Sequence, residues 1–204
     1  MPKVTEEYLN TRRQEIIDAA YRCFASKGFH QTTMRDIYAE AGLSPGAIYH
    51  YFNSKDDIIE ASFLFDYQRA LPVIERAIDA SNPMLAIEQL IDFFYAGLES
   101  AAELGADRVN IQGWGEALYN PRLLTPLRQS FQDIQGLLGR LVQRGQATGD
   151  IDPDIDPESA GEAILSSYLG LYLQKSLIPD LDVDRYKEAV IALLRGNFVK
   201  KSEE

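Results

Sequence analysis

Cysteine occurs once in this chain, at Cys23, histidine twice and tryptophan once. A single cysteine excludes an internal disulfide framework and suits a reducing compartment, so a cytoplasmic protein is expected. The same scarcity of sulfur and imidazole leaves little from which to build a transition-metal site, and no cofactor is expected. Long apolar runs are missing too: none approaches the roughly 18 residues that a membrane-crossing helix needs, which argues against a membrane partner. The opening Met1-Pro2-Lys3-Val4-Thr5-Glu6-Glu7 has no apolar stretch and does not read as a secretory signal. No nucleophile elbow, phosphate-binding loop or locally supported Ser/His/Asp set occurs, which argues against an enzyme. Paired acids are frequent, but a chain this acidic brings them together by chance. Alternating strand patterns bounded by hairpin turns are absent as well, which leaves an all-helical chain.

What is present is enough for a real core: 46% of the 204 residues are hydrophobic. The formal net charge is −11, but it is unevenly spread. Residues 8–55 carry six Lys/Arg against four acids, whereas residues 56–204 carry 13 basic and 25 acidic residues. The head is mildly basic and the body strongly acidic, an arrangement that lets polyanions approach the head alone.

Helix punctuation is dense. Leu9, Ile16, Ile17, Ala20, Cys23 and Phe24 recur at helical steps in a first helix that Gly28 stops. Thr33 caps a second, with Asp36 placed to complete a capping box and Met34, Ile37 and Ala41 inward. Gly42-Leu43 turns the chain. Ser44 caps a short third helix that starts at Pro45, where a missing N–H costs nothing. Ser54 caps a fourth, with Asp56 and Asp57 complementing its dipole. That helix is expected to reach about Ser81, bent near Pro72. Asn82-Pro83 opens a fifth ending near Gly105, a sixth covers about 106–119, and Asn120-Pro121 opens a seventh ending near Gly149. After an acidic, proline-broken loop, Asp156-Pro157 starts an eighth that reaches about Leu177, and a ninth covers about 183–199. Nine helices without a repeat period point to an irregular bundle. The expected division is a three-helix head at residues 1–54 and a helical body at 55–204.

Two short capped helices around a glycine turn form a helix-turn-helix spanning roughly Thr33 to Phe52. The small residues Ser44, Pro45, Gly46 and Ala47 stand where a recognition helix must let its backbone approach base edges. Tyr49, His50, Tyr51 and Lys55 then offer donors at spacings that reach phosphates. Ile37, Ala41, Leu43, Ile48 and Phe52 form the inward set. Arg35 could equally pair with Asp36 or Glu40, His50 is also readable as a solvated surface residue, and Arg12 and Arg13 read as solvated.

The combination Phe24-Ala25-Ser26-Lys27-Gly28-Phe29, Thr32-Thr33-x-Arg35-Asp36-Ile37, Ala41-Gly42-Leu43-Ser44-x-Gly46 and Ile48-Tyr49-x-Tyr51-Phe52-x-Ser54-Lys55 resembles the TetR family of bacterial transcriptional regulators, from about Arg12 to Ala61. Tyr38 departs from the family, which usually has alanine there. The resemblance implies backbone contacts to double-stranded DNA from Thr33, Tyr49, Tyr51 and Lys55. It puts Arg35, Pro45, Ala47 and His50 at or beside base-facing positions. It further implies a homodimeric repressor on a pseudo-palindromic operator, released by a small, largely apolar or amphipathic effector. A regulator without an effector, or an activator, would carry the same head.

The last two helices are expected to pair with their copies in a second subunit through Leu165, Leu169, Leu173, Val190 and Leu194, with Gly161 and Gly170 permitting close approach. The same faces equally read as packing within one subunit. For the effector the expected lining is Phe94, Gln112, Trp114, Glu116, Leu118, Phe131, Tyr168 and Tyr172, although aromatics at helical spacing also read as core. A buried Glu116 would suit a cationic amphiphile.

Overall fold

Side-chain caps set where most of the helices begin. The computed structural model describes residues 5–103 and 105–198, with side chains throughout except at 63–66, 69, 99–103, 197 and 198. Among the described residues the chain is all helical: α1 (Glu6–Gln31), α2 (Met34–Glu40), α3 (Pro45–Tyr49), α4 (Lys55–Ile78), α5 (Pro83–Glu103), α6 (Ala106–Ala117), α7 (Pro121–Thr148), α8 (Pro157–Leu177) and α9 (Val183–Phe198). None of these helices is long and apolar enough to cross a membrane.

The Asn-Pro and Asp-Pro starts behave as read. Asn82 Oδ1 accepts from the Leu85 N–H at 2.9 Å, Asn120 Oδ1 from the Arg122 N–H at 3.1 Å, and Asp156 Oδ2 from the Ser159 N–H at 2.8 Å. Each satisfies an N–H that the helix itself leaves free. Pro72 lies inside α4, which ends at Ile78, three residues short of the expected Ser81. The expected last residue of the ninth helix, 199, lies outside the described residues.

The chain falls into two compact units, residues up to 66 with 101–127, and residues 67–100 with 128 onward. In the first, Ile16, Ile17, Ala19, Ala20, Cys23 and Phe24 bury one face of α1, joined by Ile37, Ile48, Phe52, Val109 and Ala117. Gly28, with φ 76° and ψ 168°, breaks the helical course of α1. Only glycine takes that conformation without strain, so the predicted stop falls where the sequence puts it, and one further turn reaches Gln31. Thr32 repairs part of the break: its hydroxyl donates to the carbonyls of Gly28 at 2.8 Å and Cys23 at 3.2 Å.

The second unit has its own core, with Ile74, Ile87, Tyr95, Leu141 and Leu171 all but inaccessible. Gly161 lets α8 lie against α7: a Cβ there would fall 2.7 Å from the Gln135 carbonyl oxygen and 2.8 Å from the Gly139 nitrogen. The close approach expected of Gly161 toward a second subunit is thus made inside its own chain, whereas nothing lies within 4 Å of a Cβ at Gly170. Bidentate Arg195–Glu88 contacts of 2.6 and 2.9 Å and a 3.1 Å Lys187–Asp92 pair tie α9 to α5.

Candidate nucleic-acid interface

The second helix of the head begins with a reciprocal cap. The Asp36 N–H donates to Thr33 Oγ1 at 3.2 Å, and the Thr33 N–H donates to Asp36 Oδ2 at 2.9 Å. Both residues of the box are therefore fixed before anything docks. Asp36 is also held from α1, because Lys27 Nζ donates to its Oδ1 at 2.6 Å. The Lys27 ammonium, together with the Thr33 backbone and hydroxyl, keeps the Asp36 carboxyl well below the usual carboxylate range. Arg22 Nε reaches Glu40 Oε1 at 2.7 Å in the same way.

These pairings settle the fate of Arg35. Both acids that could have engaged it from α2 are taken by cations of α1. Arg35 is exposed and has no ion pair among the described residues. Lys27 and Arg22, read from the sequence only as charge of the head, are what neutralises the acids of α2. Their partners lie 9 and 18 positions away, beyond any local motif.

Gly42 turns the chain with φ 65°, a left-handed conformation that any other residue would strain to hold. Ser44 Oγ then accepts from the Ala47 N–H at 3.3 Å, and Pro45 opens α3. Ile37, Ile48 and Phe52 are buried and lock α2 to α3, with Ala41 and Leu43 half-buried beside them. Opposite that core, Ser44, Pro45, Gly46, Tyr49 and His50 are exposed, while Ala47 and Tyr51 are half-buried. Thr33 is exposed at the start of α2, and Tyr38 is half-buried. The His50 and Tyr51 rings meet edge to face at 5.2 Å. Of the predicted DNA-facing set, Thr33, Arg35, Ser44, Pro45, Gly46, Tyr49 and His50 are therefore exposed and Ala47 and Tyr51 half-buried.

Lys55 differs from that set. Its ammonium turns inward and donates to the carbonyls of Phe29 and Thr32, at 3.1 Å for the latter. These carbonyls lie at the C-terminal end of α1, where a helix leaves its last carbonyls without partners of its own. The Phe29 N–H donates to Gln112 Oε1 of α6 at 3.2 Å, and Glu116 Oε2 lies 3.6 Å from His30 Nε2. Three residues placed by sequence in two different sites, Lys55, Gln112 and Glu116, thus meet at the end of α1.

At the start of α4, Ser54 Oγ accepts from the Asp57 N–H at 3.1 Å, and Asp57 receives the Asn53 N–H at 2.8 Å and the Arg122 guanidinium. Burial pushes the Asp57 carboxyl up, but the bonds from Ser54, Asn53 and Arg122 outweigh it and hold it low.

The expected effector residues are divided. Phe94, Tyr168 and Tyr172 meet in the second unit, with ring centroids 5.6 Å apart for Phe94–Tyr168 and 5.8 Å for Tyr168–Tyr172. Tyr95 and Tyr186, absent from the predicted lining, join them at 6.1 Å from Tyr168 and 6.2 Å from Tyr95 respectively. Tyr95 donates to or accepts from Ser167 Oγ at 3.0 Å. Phe131 lies half-buried on α7 of the same unit. Gln112, Trp114 and Glu116 belong to α6 in the first unit. Leu118, just past α6, is 71% exposed, so no packed wall forms around it. Glu116 faces His30 with about a third of its side chain accessible, so the buried carboxylate that would favour a cationic amphiphile is not there.

The residues expected at a dimer face are divided by their burial. Leu165, Val190 and Leu194 are buried within their own unit and Leu169 is half-buried. Leu173, at 44%, is exposed, and the neighbouring outward apolar residues are Leu177, Ile178 and Leu193. Residues 193 and 194 are about 100° apart on a helix, so Leu193 points outward while Leu194 is kept within its own unit.

The family described as bacterial regulatory proteins, tetR family, matches residues 16–62, and that of the BetI-type transcriptional repressor C-terminal region matches residues 95–198. An HTH-type transcriptional repressor of Mycobacterium tuberculosis is 38% identical over 118 residues, 57% of this chain and 63% of that protein. The chain thus spans a little under two thirds of that relative. The HTH-type transcriptional regulator UidR of Escherichia coli is 26% identical across 88% of this chain and 87% of its own. The solved structure of GusR from Salmonella enterica superposes with a TM-score of 0.73 and 27% identity, over 95% of this chain and 97% of that one. Capped helix-turn-helix, all-helical body and matching relatives agree: the chain belongs to the TetR family of DNA-binding transcriptional regulators, which are not enzymes.

Proposed function

We propose that the chain works as a homodimeric repressor that grips a pseudo-palindromic operator with two heads and leaves it when a small, largely apolar or amphipathic effector binds the body. The observation that carries this reading is the outward surface of the helix-turn-helix, from which the acids of α2 are drawn away by α1 while Arg35, Tyr49 and His50 stay exposed. On this reading residues 1–54 hold DNA and residues 55–204 dimerise and take the effector.

Thr33, Tyr49 and Tyr51 supply phosphate contacts, Arg35, Pro45 and Ala47 face base edges behind the small edge from Ser44 to Gly46, and His50 stands beside the base-facing positions. Lys55 serves the interface from within, by fixing the end of α1 against the start of α4. The outward leucines of α8 and α9 support self-association, since exposed Leu173, Leu177 and Leu193 are apolar surface that a copy of the same chain can bury. The aromatic cluster around Tyr168 supports an effector with an apolar body. Such an effector must bind the released state more tightly than the gripping one. Turning a mostly bound population into a mostly free one takes roughly 5 kcal/mol of differential affinity across its sites.

Gel shift against the DNA upstream of the chain's own gene, followed by a compound screen for release, tests the reading. Salt-sensitive binding undone by a compound that also raises the melting temperature supports it. Binding that no compound relieves would favour a regulator without an effector, and transcription rising on binding would make it an activator. Binding to no duplex even at low salt would defeat it.

A further inference from the structure

Arg12 and Arg13 read from the sequence as adjacent solvated cations, and the structure separates them. Arg12 is committed: its Nε donates to the Tyr8 hydroxyl at 3.2 Å and its Nη1 to Glu15 Oε2 at 2.5 Å. Arg13 has no ion pair among the described residues. Its guanidinium lies 4.7 Å from the ring centroid of Phe52, which is itself 2% exposed in the core of the head. A guanidinium stacked on a buried ring is fixed in place yet keeps its N–H donors free at the edge.

That edge opens on a groove of about 460 Å³ lined by Glu6, Leu9, Asn10, Arg13, His50 and Tyr51. Residues 6, 9, 10 and 13 lie on one face of α1, while His50 and Tyr51 follow directly on α3. The groove therefore joins the start of α1 to the far end of the recognition helix. A recognition helix that inserts its Ser44–Ala47 edge toward the bases leaves its other end standing back, at the level of the strand that walls the major groove. What lies there is sugar-phosphate backbone, and Arg13, Asn10, His50 and the Tyr51 hydroxyl are suited to it in charge and donors. Glu6, the acid among the lining residues, opposes it.

We propose that this groove seats a backbone phosphate of the operator, with Arg13 as its cation and Asn10, His50 and Tyr51 as supporting donors. It deepens the operator reading above and rests on it. The groove reads no sequence; it sets the register of the head, and its affinity depends on salt. Arg12, one residue away and held by Glu15, takes no part.

The test uses the full chain and a duplex selected by it from a random pool, with affinity followed by fluorescence anisotropy over a series of KCl concentrations. Arg13→Ala is expected to weaken binding by roughly 5- to 30-fold near physiological salt and to lower the slope of log affinity against log salt by about one. Arg13→Met keeps an aliphatic cover over Phe52 and removes only the charge, so it should lose the same slope with an unchanged melting temperature. Arg12→Ala should stay within about twofold with the wild-type slope, and Glu6→Gln should tighten binding by about two- to threefold. A wild-type slope in Arg13→Met, or an equal loss in Arg12→Ala, overturns the proposal. A wild-type chain that selects no duplex at all brings down the operator reading and this groove together, whereas selection with an indifferent Arg13 brings down the groove alone.

Discussion

In the head, caps between residues three apart fix where the recognition helices begin; in the second unit, polar pairs far apart in the chain tie one helix to another. The caps Thr33–Asp36, Ser44–Ala47 and Ser54–Asp57 each join residues three apart. The ties of the second unit, Glu88–Arg195 and Tyr95–Ser167, join residues 107 and 72 apart. The outward faces differ as well. The head exposes cations and aromatics, while α8 and α9 expose Leu173, Leu177 and Leu193. A surface that must meet a rigid polyanion is thus built on helices whose ends are locally fixed, and the region read as self-associating and effector-binding rests on packing between distant helices. The first can vary its exposed residues without disturbing its frame, whereas the second cannot change its core without moving whole helices.

The largest expected effect that could break this contrast is Ile48→Ala. Removing a fully buried side chain from the head should cost about 2–5 kcal/mol there and abolish DNA binding. Hydrogen exchange should show lost protection in α2 and α3 with α8 unchanged; equal loss in α8 would mean that the two regions unfold as one. Next comes Arg195→Ala, which strands the buried Glu88 carboxylate and should lower the urea midpoint of unfolding. Glu88→Gln leaves only the largely exposed Arg195 and should cost less; a reversed order would show that the pair does not work as described. Thr33→Ala removes a local cap and should cost about 1 kcal/mol, confined to the head and its DNA affinity.

The smallest effect is acid sensitivity. Asp36 and Asp57 are both held below the ordinary carboxylate range in the folded head. The stability they add is complete above the unfolded value near pH 4 and drains as pH falls through their lowered folded values. Asp36→Asn should therefore flatten the acid limb of head unfolding, and a limb of unchanged steepness would contradict the Lys27–Asp36 tie.

This contrast also decides what could be read ahead of the structure. The starts of α2, α3, α5, α7 and α8 follow from a side chain and its neighbour two or three positions on, which is sequence-local information. Gly28 announces a break by the same logic. What the end of α1 does to Lys55 is not local: the carbonyls of Phe29 and Thr32 become acceptors only once the fold brings residue 55 beside them, so a lysine that resembles a phosphate holder turns inward. Gln112 is read as part of an effector site for the same reason, although the Phe29 N–H occupies it. On α9 the periodicity of Val190, Leu193 and Leu194 marks an apolar helix without saying which of its faces the subunit keeps for itself. The separation of Arg12 from Arg13 depends on Glu15, readable at three residues' distance, and on Phe52, which is not.

The most direct measurement is selection of duplexes by the full chain from a random pool, followed by the mass of the complex on the enriched site. The expected result is an inverted repeat, its half-sites about one helical turn apart or wider, carrying two copies of the chain. Enrichment of no sequence at low and moderate salt, or a single copy on a site without two-fold symmetry, would contradict the two-headed grip.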